Sequence, residues 1–361
     1  MKVVIFGLTL SSSWGNGHAT LWRALCSALC RRRHQVVFFE KDVPYYAAAR
    51  DFRELPEGGK LILYSALSEV VAESRRELAD ADLAMTTSYC PDALAATELI
   101  LNSEAAVKAF YDLDTPVTLA RLARGDVVEY IPARGLRDFD LVLSYTGGHA
   151  LAELRSVLGA QQVAPLYGSV DPGTHFPVAA VEDYRADLSY LGTYAPDRQA
   201  SLEELFIKPA REQVGRRFVI GGSLYPQSFP WAANIYFVQH MPPPLHPAFF
   251  CSSRATLNVT RGAMAKYGFC PSGRLFEAAA CGVPVLSDVW EGLETFFTPG
   301  EELIAVRSSE DVIAALDRSD EELTCIGRAA RERALREHTA DTRARQLETI
   351  CAGAAARSLV T

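Results

Sequence analysis

Arg274 and Glu277 lie three residues apart at the start of a short alanine-rich stretch, within PSGRLFEAAACGVPVLSDVWEGLE (Pro271 to Glu294). Pro271 and Ser272 form a loop ending on a favourable N-cap side chain, Gly273 to Cys281 has helical composition, and Gly282 stops it. The unpaired N–H groups and positive dipole end of such a helix attract an anion, for example a diphosphate. Arg274 puts a cation in the first turn, where the dipole disfavours one, and a bound phosphate would compensate. Glu277 shares its face, and a carboxylate there can accept hydrogen bonds from the vicinal hydroxyls of a ribose or hexose. The two residues can equally pair with each other at the surface, which contributes little.

A second group follows the first apolar run. The segment LTLSSSWGNGHATLW is rich in Ser and Gly and closes on a helix start. Gly15 and Gly17 permit close backbone approach, and His18 projects from the first helical turn. A neutral imidazole there can take the proton of an acceptor hydroxyl, or His18 can simply bind substrate or cap the helix. Asp112 and Asp114 in YDLDTPVTL follow another apolar run, and strand alternation sends both to one side. Such a pair can orient His18, accept a proton, hold sugar hydroxyls, or cap the next turn. Further candidates are the loop Gly192-Thr193-Tyr194, suited to phosphate contact, and Arg198, Arg261 and Lys266 as cations for a diphosphate. Each of these is also consistent with an ordinary turn or surface charge. The same holds for Tyr145 to His149, a second glycine-containing loop.

The elements that must position these groups alternate. Lys2 to Gly7, Gln35 to Glu40, Leu61 to Tyr64, Leu83 to Thr87 and Leu141 to Tyr145 read as buried strands, with Ala19 to Arg33 an amphipathic helix between the first two. Ala105 to Tyr111 leads into the paired aspartates. From Val163 to Pro177 the composition turns to Pro, Gly and Asp, and an interdomain hinge is expected there. Strands then resume at Asp187 to Leu191, Arg217 to Ile220, Ala255 to Val259, Val283 to Leu286 and Glu301 to Val306. Ser309 to Asp317 and a long charged run, Asp320 to Ala352, read as helices. Such alternation predicts an α/β architecture of doubly wound parallel sheets, whose ligands bind at the carboxyl ends of the strands.

The chain has 361 residues, 49% of them hydrophobic and 22% charged, enough for two cores of ordinary size. Its net charge of -8 argues against nucleic acid or an anionic membrane as main partner. Arg31-Arg32-Arg33 is a local cationic patch that suits a helix C-terminus. The expectation is no transmembrane segment, no signal peptide and a cytoplasmic location. Eight cysteines without a CxxC pair or a metal-like grouping with His read as reduced core residues, Cys270 beside the candidate site included.

The segment Glu277-Ala-Ala-Ala-Cys-Gly-Val-Pro-Val-Leu resembles the donor-binding region of GT-B glycosyltransferases, and most closely the CgeB-like group (spore maturation protein CgeB, glycosyl transferases group 1-like). LNVTR, Arg274-Leu-Phe-Glu-Ala and Ser287-Asp288 carry the second resemblance, and the GNGH loop at His18 is similar to acceptor loops of some GT-B enzymes. Many GT-B members have two glutamates eight apart, of which Glu277 matches the second, which typically binds ribose. Phe269 occupies the position of the first, so the sugar contact departs from the pattern. The resemblance implies two Rossmann-like domains facing a central cleft: an acceptor-side domain over 1–168, a donor domain over 169–335, and a helix over 336–361 returning to the first. It further implies a glycosyltransferase that moves a sugar from a nucleotide-diphosphate donor, UDP- or dTDP-linked, to a small molecule, glycan or protein. No metal or other cofactor is expected to be required. Ser272, Gly273, Arg274 and Asp288 would then serve the donor, with His18 as base. The DxD pair invites a metal reading that the two-domain layout does not favour. Other readings stay open: a catalytically silent carbohydrate-binding protein, a sugar-nucleotide epimerase, or an NAD-linked enzyme. The last is the weakest, because Thr20 replaces the third glycine of a GxGxxG and the loop is too long for that fingerprint's tight turn.

Overall fold

The computed structural model describes residues 1–15 and 17–358; Asn16, within the GNGH loop, lies outside the described residues. The chain forms two compact units, Met1–Tyr167 with Ala340–Thr361, and Gly168–Thr339.

The first unit is built on seven parallel strands: β1 (Lys2–Gly7), β2 (Gln35–Lys41), β3 (Gly59–Tyr64), β4 (Leu83–Thr87), β5 (Lys108–Asp112), β6 (Leu141–Ser144) and β7 (Val163–Pro165). Their order is β3-β2-β1-β4-β5-β6-β7. The central strands are buried on both faces without alternation: β1 is rich in Val, Ile and Phe, and β4, from Leu83 to Thr87, is buried throughout. Val3, Ile5 and Phe38 pack beneath the helix His18–Arg31 with its fully buried Trp22, while Phe6 and Phe39 serve the opposite face, stacked at 4.7 Å. Residues Val163 to Pro165, read as part of a hinge, are instead the last strand, since Val163 pairs with Val142.

The second unit holds six parallel strands: β8 (Ala186–Leu191), β9 (Phe218–Gly222), β10 (Ile235–Gln239), β11 (Ser253–Asn258), β12 (Val285–Ser287) and β13 (Ile304–Ala305), in the order β10-β9-β8-β11-β12-β13. The run expected as a strand from Glu301 shortens to two residues, because Glu301 and Glu302 turn back through bonds to Thr298 O. The single helix expected over Asp320 to Ala352 is two, Asp320–Glu337 and Ala340–Ser358. His338 ends the first: its ring lies 4.7 Å from Phe276, its Nε2 bonds Phe296 O at 2.9 Å, and its carbonyl accepts from Val170 N.

In both sheets the chain winds outward one way and then restarts on the other side of its first strand. The switch falls between β1 and β4 in one unit and between β8 and β11 in the other. A crevice opens at such a point beyond the carboxyl ends of the strands. The loops there carry His18 and Tyr89 in one case, and Gly192 to Tyr194 and Asn258 to Arg261 in the other.

Candidate functional site

In the first unit, His18 is the first residue of its helix, and Gly17 is the N-cap. Its Nε2 lies 3.9 Å from Asp114 Oδ2. Tyr89 completes the group: its ring stacks on His18 with centroids 5.8 Å apart, and its hydroxyl donates to the same Asp114 oxygen at 2.8 Å. Tyr89 holds φ +64, an uncommon conformation for a residue with a side chain. Asp114 is an N-cap by backbone position only; its carboxylate makes no capping bond.

The two aspartates differ in their partners. Asp112 is fully buried, and its Oδ1 accepts from Asp114 N and Thr118 Oγ1, both at 3.1 Å. Its Oδ2 has no partner. Burial pushes its pKa up to about 6 against those hydrogen bonds. Asp112 thus braces the turn, and Asp114 is the carboxylate beside His18.

The loop carrying His18 is fixed by a buried carboxylate. Glu40, at the end of β2, accepts from Leu10 N at 2.7 Å, Ser11 N at 2.9 Å and Ser11 Oγ at 2.5 Å, and also from Thr9 Oγ1. Asp51 anchors Ser13 N at 3.0 Å and the Arg23 guanidinium. Gly15 takes φ +60. With four donors on Glu40, that carboxylate is taken up in holding the loop. His149, from the second glycine loop, is exposed at the start of its own helix.

In the second unit, Ser272 caps the helix Gly273–Ala280 by accepting from Arg274 N at 3.3 Å. The Arg274 side chain runs to the switch point. Its guanidinium lies 5.0 Å from the Tyr190 ring centre, and Nη1 donates to Asn258 Oδ1 at 3.3 Å. Among the described residues it meets no carboxylate within ion-pair distance. Gly192 lies close beside it: a Cβ there would stand 2.7 Å from Arg274 Nη2 and would displace the guanidinium. Arg198 joins from the next loop, donating to Thr193 O at 3.0 Å while its buried Nε has no partner. Burial holds Arg274 below the usual guanidinium range, and the Arg198 charge adds to that. Neither guanidinium has a carboxylate within ion-pair distance among the described residues, and Arg274 stems from the first turn of its helix, an arrangement suited to an anion.

Thr193 Oγ1 lies 3.4 Å from Ser223 Oγ, and Tyr194 packs on Tyr225, whose hydroxyl donates to Gly192 O at 3.0 Å. Asp288 is taken up by Thr260, through N at 2.9 Å and Oγ1 at 3.0 Å, so it fixes the loop after β11. Arg261 pairs with Asp197 at 3.2 Å, and Lys266 is exposed on the following helix. Phe269 holds φ +44, its amide donating to Glu291 O.

Glu277 does not pair with Arg274. It is buried and faces two histidines absent from the sequence reading, His246 Nδ1 at 3.5 Å and His175 Nε2 at 4.0 Å. Burial alone would raise its pKa, but His175, His246 and Arg274 hold it down at about 2. Burial pushes His175 down to about 4. Of the residues missed, Asn258 stood within the quoted LNVTR run, whereas Tyr89, Tyr190, His175 and His246 carried no spacing signal. The eight cysteines are free thiols, but Cys325 is exposed and Cys251 half-buried, so not all are core residues; Cys270 is buried.

Residues 198–349 match the family model described as glycosyl transferase-like. No curated protein sequence matches the chain. Among solved structures, sucrose-phosphate synthase from Thermosynechococcus elongatus superposes with TM-score 0.69 at 15% identity, covering 97% of this chain and 98% of that one. HepE of Anabaena, solved with UDP-glucose, gives 0.65 at 12% identity over 98% and 100%. An alpha-glucosyltransferase solved with UDP and a 13-mer DNA gives 0.69 at 11% identity over 98% and 99%. The two parallel-sheet α/β units therefore have the GT-B fold. Among the described residues no helix is long and apolar enough to cross a membrane.

Proposed function

We propose that this chain is a glycosyltransferase that uses a nucleotide-diphosphate sugar, belongs with the CgeB-like group, and binds its donor on the second unit. The observation that carries this is the pair Arg274 and Arg198. Both guanidiniums lack a carboxylate, both lie at the topological switch point, and one stems from the first turn of the Gly273–Ala280 helix. A diphosphate supplies the missing charge and accepts from both forks. As the sugar leaves it, the diphosphate gains negative charge, which these cations stabilise most in the transition state. They do what a divalent ion does elsewhere, and transfer is accordingly metal-independent. Glu277, held ionised, takes the ribose hydroxyls.

On the first unit, His18 takes the acceptor proton, and Asp114 stabilises the imidazolium that forms, itself held by Tyr89. The two structural relatives solved with UDP-glucose or UDP favour UDP as the nucleotide. One of those was solved with DNA, but the net charge of -8 supports a sugar, small-molecule or protein acceptor instead.

Isothermal titration with UDP, dTDP, ADP and GDP, then with their sugar conjugates and an assay for donor hydrolysis, tests the proposal. Binding of one nucleotide diphosphate with slow release of sugar from its conjugate supports it. Binding without hydrolysis would indicate a silent binding protein, interconversion of free nucleotide sugars an epimerase, and no binding would remove the donor site.

A further inference from the structure

We infer that His175, His246 and Glu277 form a buried cation site of the zinc class within the second unit. The donor atoms His175 Nε2, His246 Nδ1 and Glu277 Oε2 all lie within 4.8 Å of one another. The two nitrogens are 3.4 Å apart, His246 Nδ1 and the carboxylate oxygen 3.5 Å, and His175 Nε2 and that oxygen 4.0 Å. A tetrahedral ion with bonds of about 2.0–2.1 Å sets neighbouring ligands about 3.3–3.4 Å apart. Two of the three edges, at 3.4 and 3.5 Å, are close to that length, and the third is 4.0 Å. The side chains are 4%, 12% and 10% exposed, so water does little to solvate the group.

Proton counting points the same way. His246 Nε2 lies 3.1 Å from Met241 O, an atom that only accepts, so Nε2 carries a proton and, in the neutral ring, Nδ1 turns a lone pair toward the Glu277 carboxylate. If His175 Nε2 donates to His246 Nδ1, no histidine proton is left for Glu277. With both imidazoles neutral, each tautomer of His175 leaves one lone pair facing another inside the protein, a costly arrangement that a proton on His246 Nδ1 or a bound cation relieves. A single divalent ion satisfies all three atoms. A backbone carbonyl on the outer nitrogen of a ligating histidine is the usual way its tautomer and ring orientation are set. Two imidazoles and one carboxylate are a donor set that zinc accepts.

The three ligands come from the segment before β8, from the helix His246–Cys251 and from the helix Gly273–Ala280. An ion there ties the nucleotide-binding helix to two neighbours, and no step of sugar transfer passes through it. One carboxylate oxygen suffices for the ion, so the other keeps the ribose role. The inference stands independently of the transferase reading.

The test uses the full chain, stripped with a chelator, incubated with zinc or cobalt(II) and desalted. Elemental analysis should find about one ion per chain, and the cobalt form should show tetrahedral visible bands without thiolate charge transfer. His175→Ala and His246→Ala, checked for fold by circular dichroism, should each lose ion uptake by about tenfold or more. Failure of the wild-type chain to take up either ion overturns the inference, as does a thiolate band or uptake unchanged in both variants. If the variants do not fold, the wild-type cobalt spectrum alone decides.

Discussion

The Arg274 guanidinium rests on a neutral amide oxygen, Asn258 Oδ1, at 3.3 Å, instead of on a carboxylate. A cation placed in a partly dry position, bonded to an amide, set over a tyrosine ring and beside a second guanidinium, with no carboxylate at ion-pair distance, is unfavourable to the fold on its own. Its retention makes sense if a ligand supplies the charge.

Arg274→Met should therefore leave the melting temperature of the ligand-free protein unchanged or higher, while weakening nucleotide-diphosphate binding by about 10- to 100-fold, the loss expected for charge-assisted hydrogen bonds. Differential scanning calorimetry and titration calorimetry read the two effects separately. A fall in stability with unchanged affinity would make Arg274 a structural residue.

His18 and Asp114 should act on turnover without touching the donor. His18→Ala should lower kcat by about 10²- to 10⁴-fold, the range for loss of a general base. Asp114→Asn should lower it less, and donor affinity should persist in both. Asp112→Asn is the internal comparison, because Asp112 does not reach His18, and its activity should stay within a few-fold of the parent.

Asp112 instead gives a pH signature. Its folded pKa, about 6, lies above its ordinary value of 3.8 because burial disfavours the anion. The stabilisation associated with its neutral form is complete below about pH 4 and is lost as pH rises through about 6. The wild type should thus lose stability relative to Asp112→Asn by roughly 3 kcal/mol between about pH 4 and pH 7. Parallel urea titrations of both proteins measure this difference, and a constant offset would contradict the buried, desolvated setting.

Glu348 shows the opposite sign. It accepts from Arg32 Nε at 2.6 Å, Arg32 Nη2 at 2.7 Å and His34 Nε2 at 2.6 Å, and these partners, Arg32 first, hold it down at about 2. Its contribution is present above the ordinary glutamate range and disappears as pH falls toward 2. Because the pair is about a quarter exposed, Glu348→Gln should cost only about 1 kcal/mol at neutral pH, and the cost should vanish in acid.

The strands were legible because buried parallel strands are unbroken apolar runs; β1 and β4 start and end where the residues say. The Gly273–Ala280 helix was legible from Ser272 and Gly282. Strand β10 was missed although Ile235 to Val238 is a short apolar run; it lies at the sheet edge with Tyr236 and Phe237 exposed and lacks the burial of the central strands. The break at His338 was hidden, since charged residues lie on either side of it, and the helix ends through distant contacts with Phe276, Phe296 and Val170. The same limit applies to the sites. Arg274 and His18 sit at local signals, a cap and a glycine loop, whereas the separation of Asp112 from Asp114 depends on Tyr89 and Thr118. The meeting of His175, His246 and Glu277 depends on three segments that no local pattern connects.

The position of the diphosphate in crystals grown with UDP or a UDP-sugar tests the central claim most directly. The account predicts phosphate oxygens within hydrogen-bond reach of both the Arg274 and Arg198 guanidiniums, at the amino end of the Gly273–Ala280 helix. Phosphates bound elsewhere, with Arg274 still resting on Asn258, would contradict it.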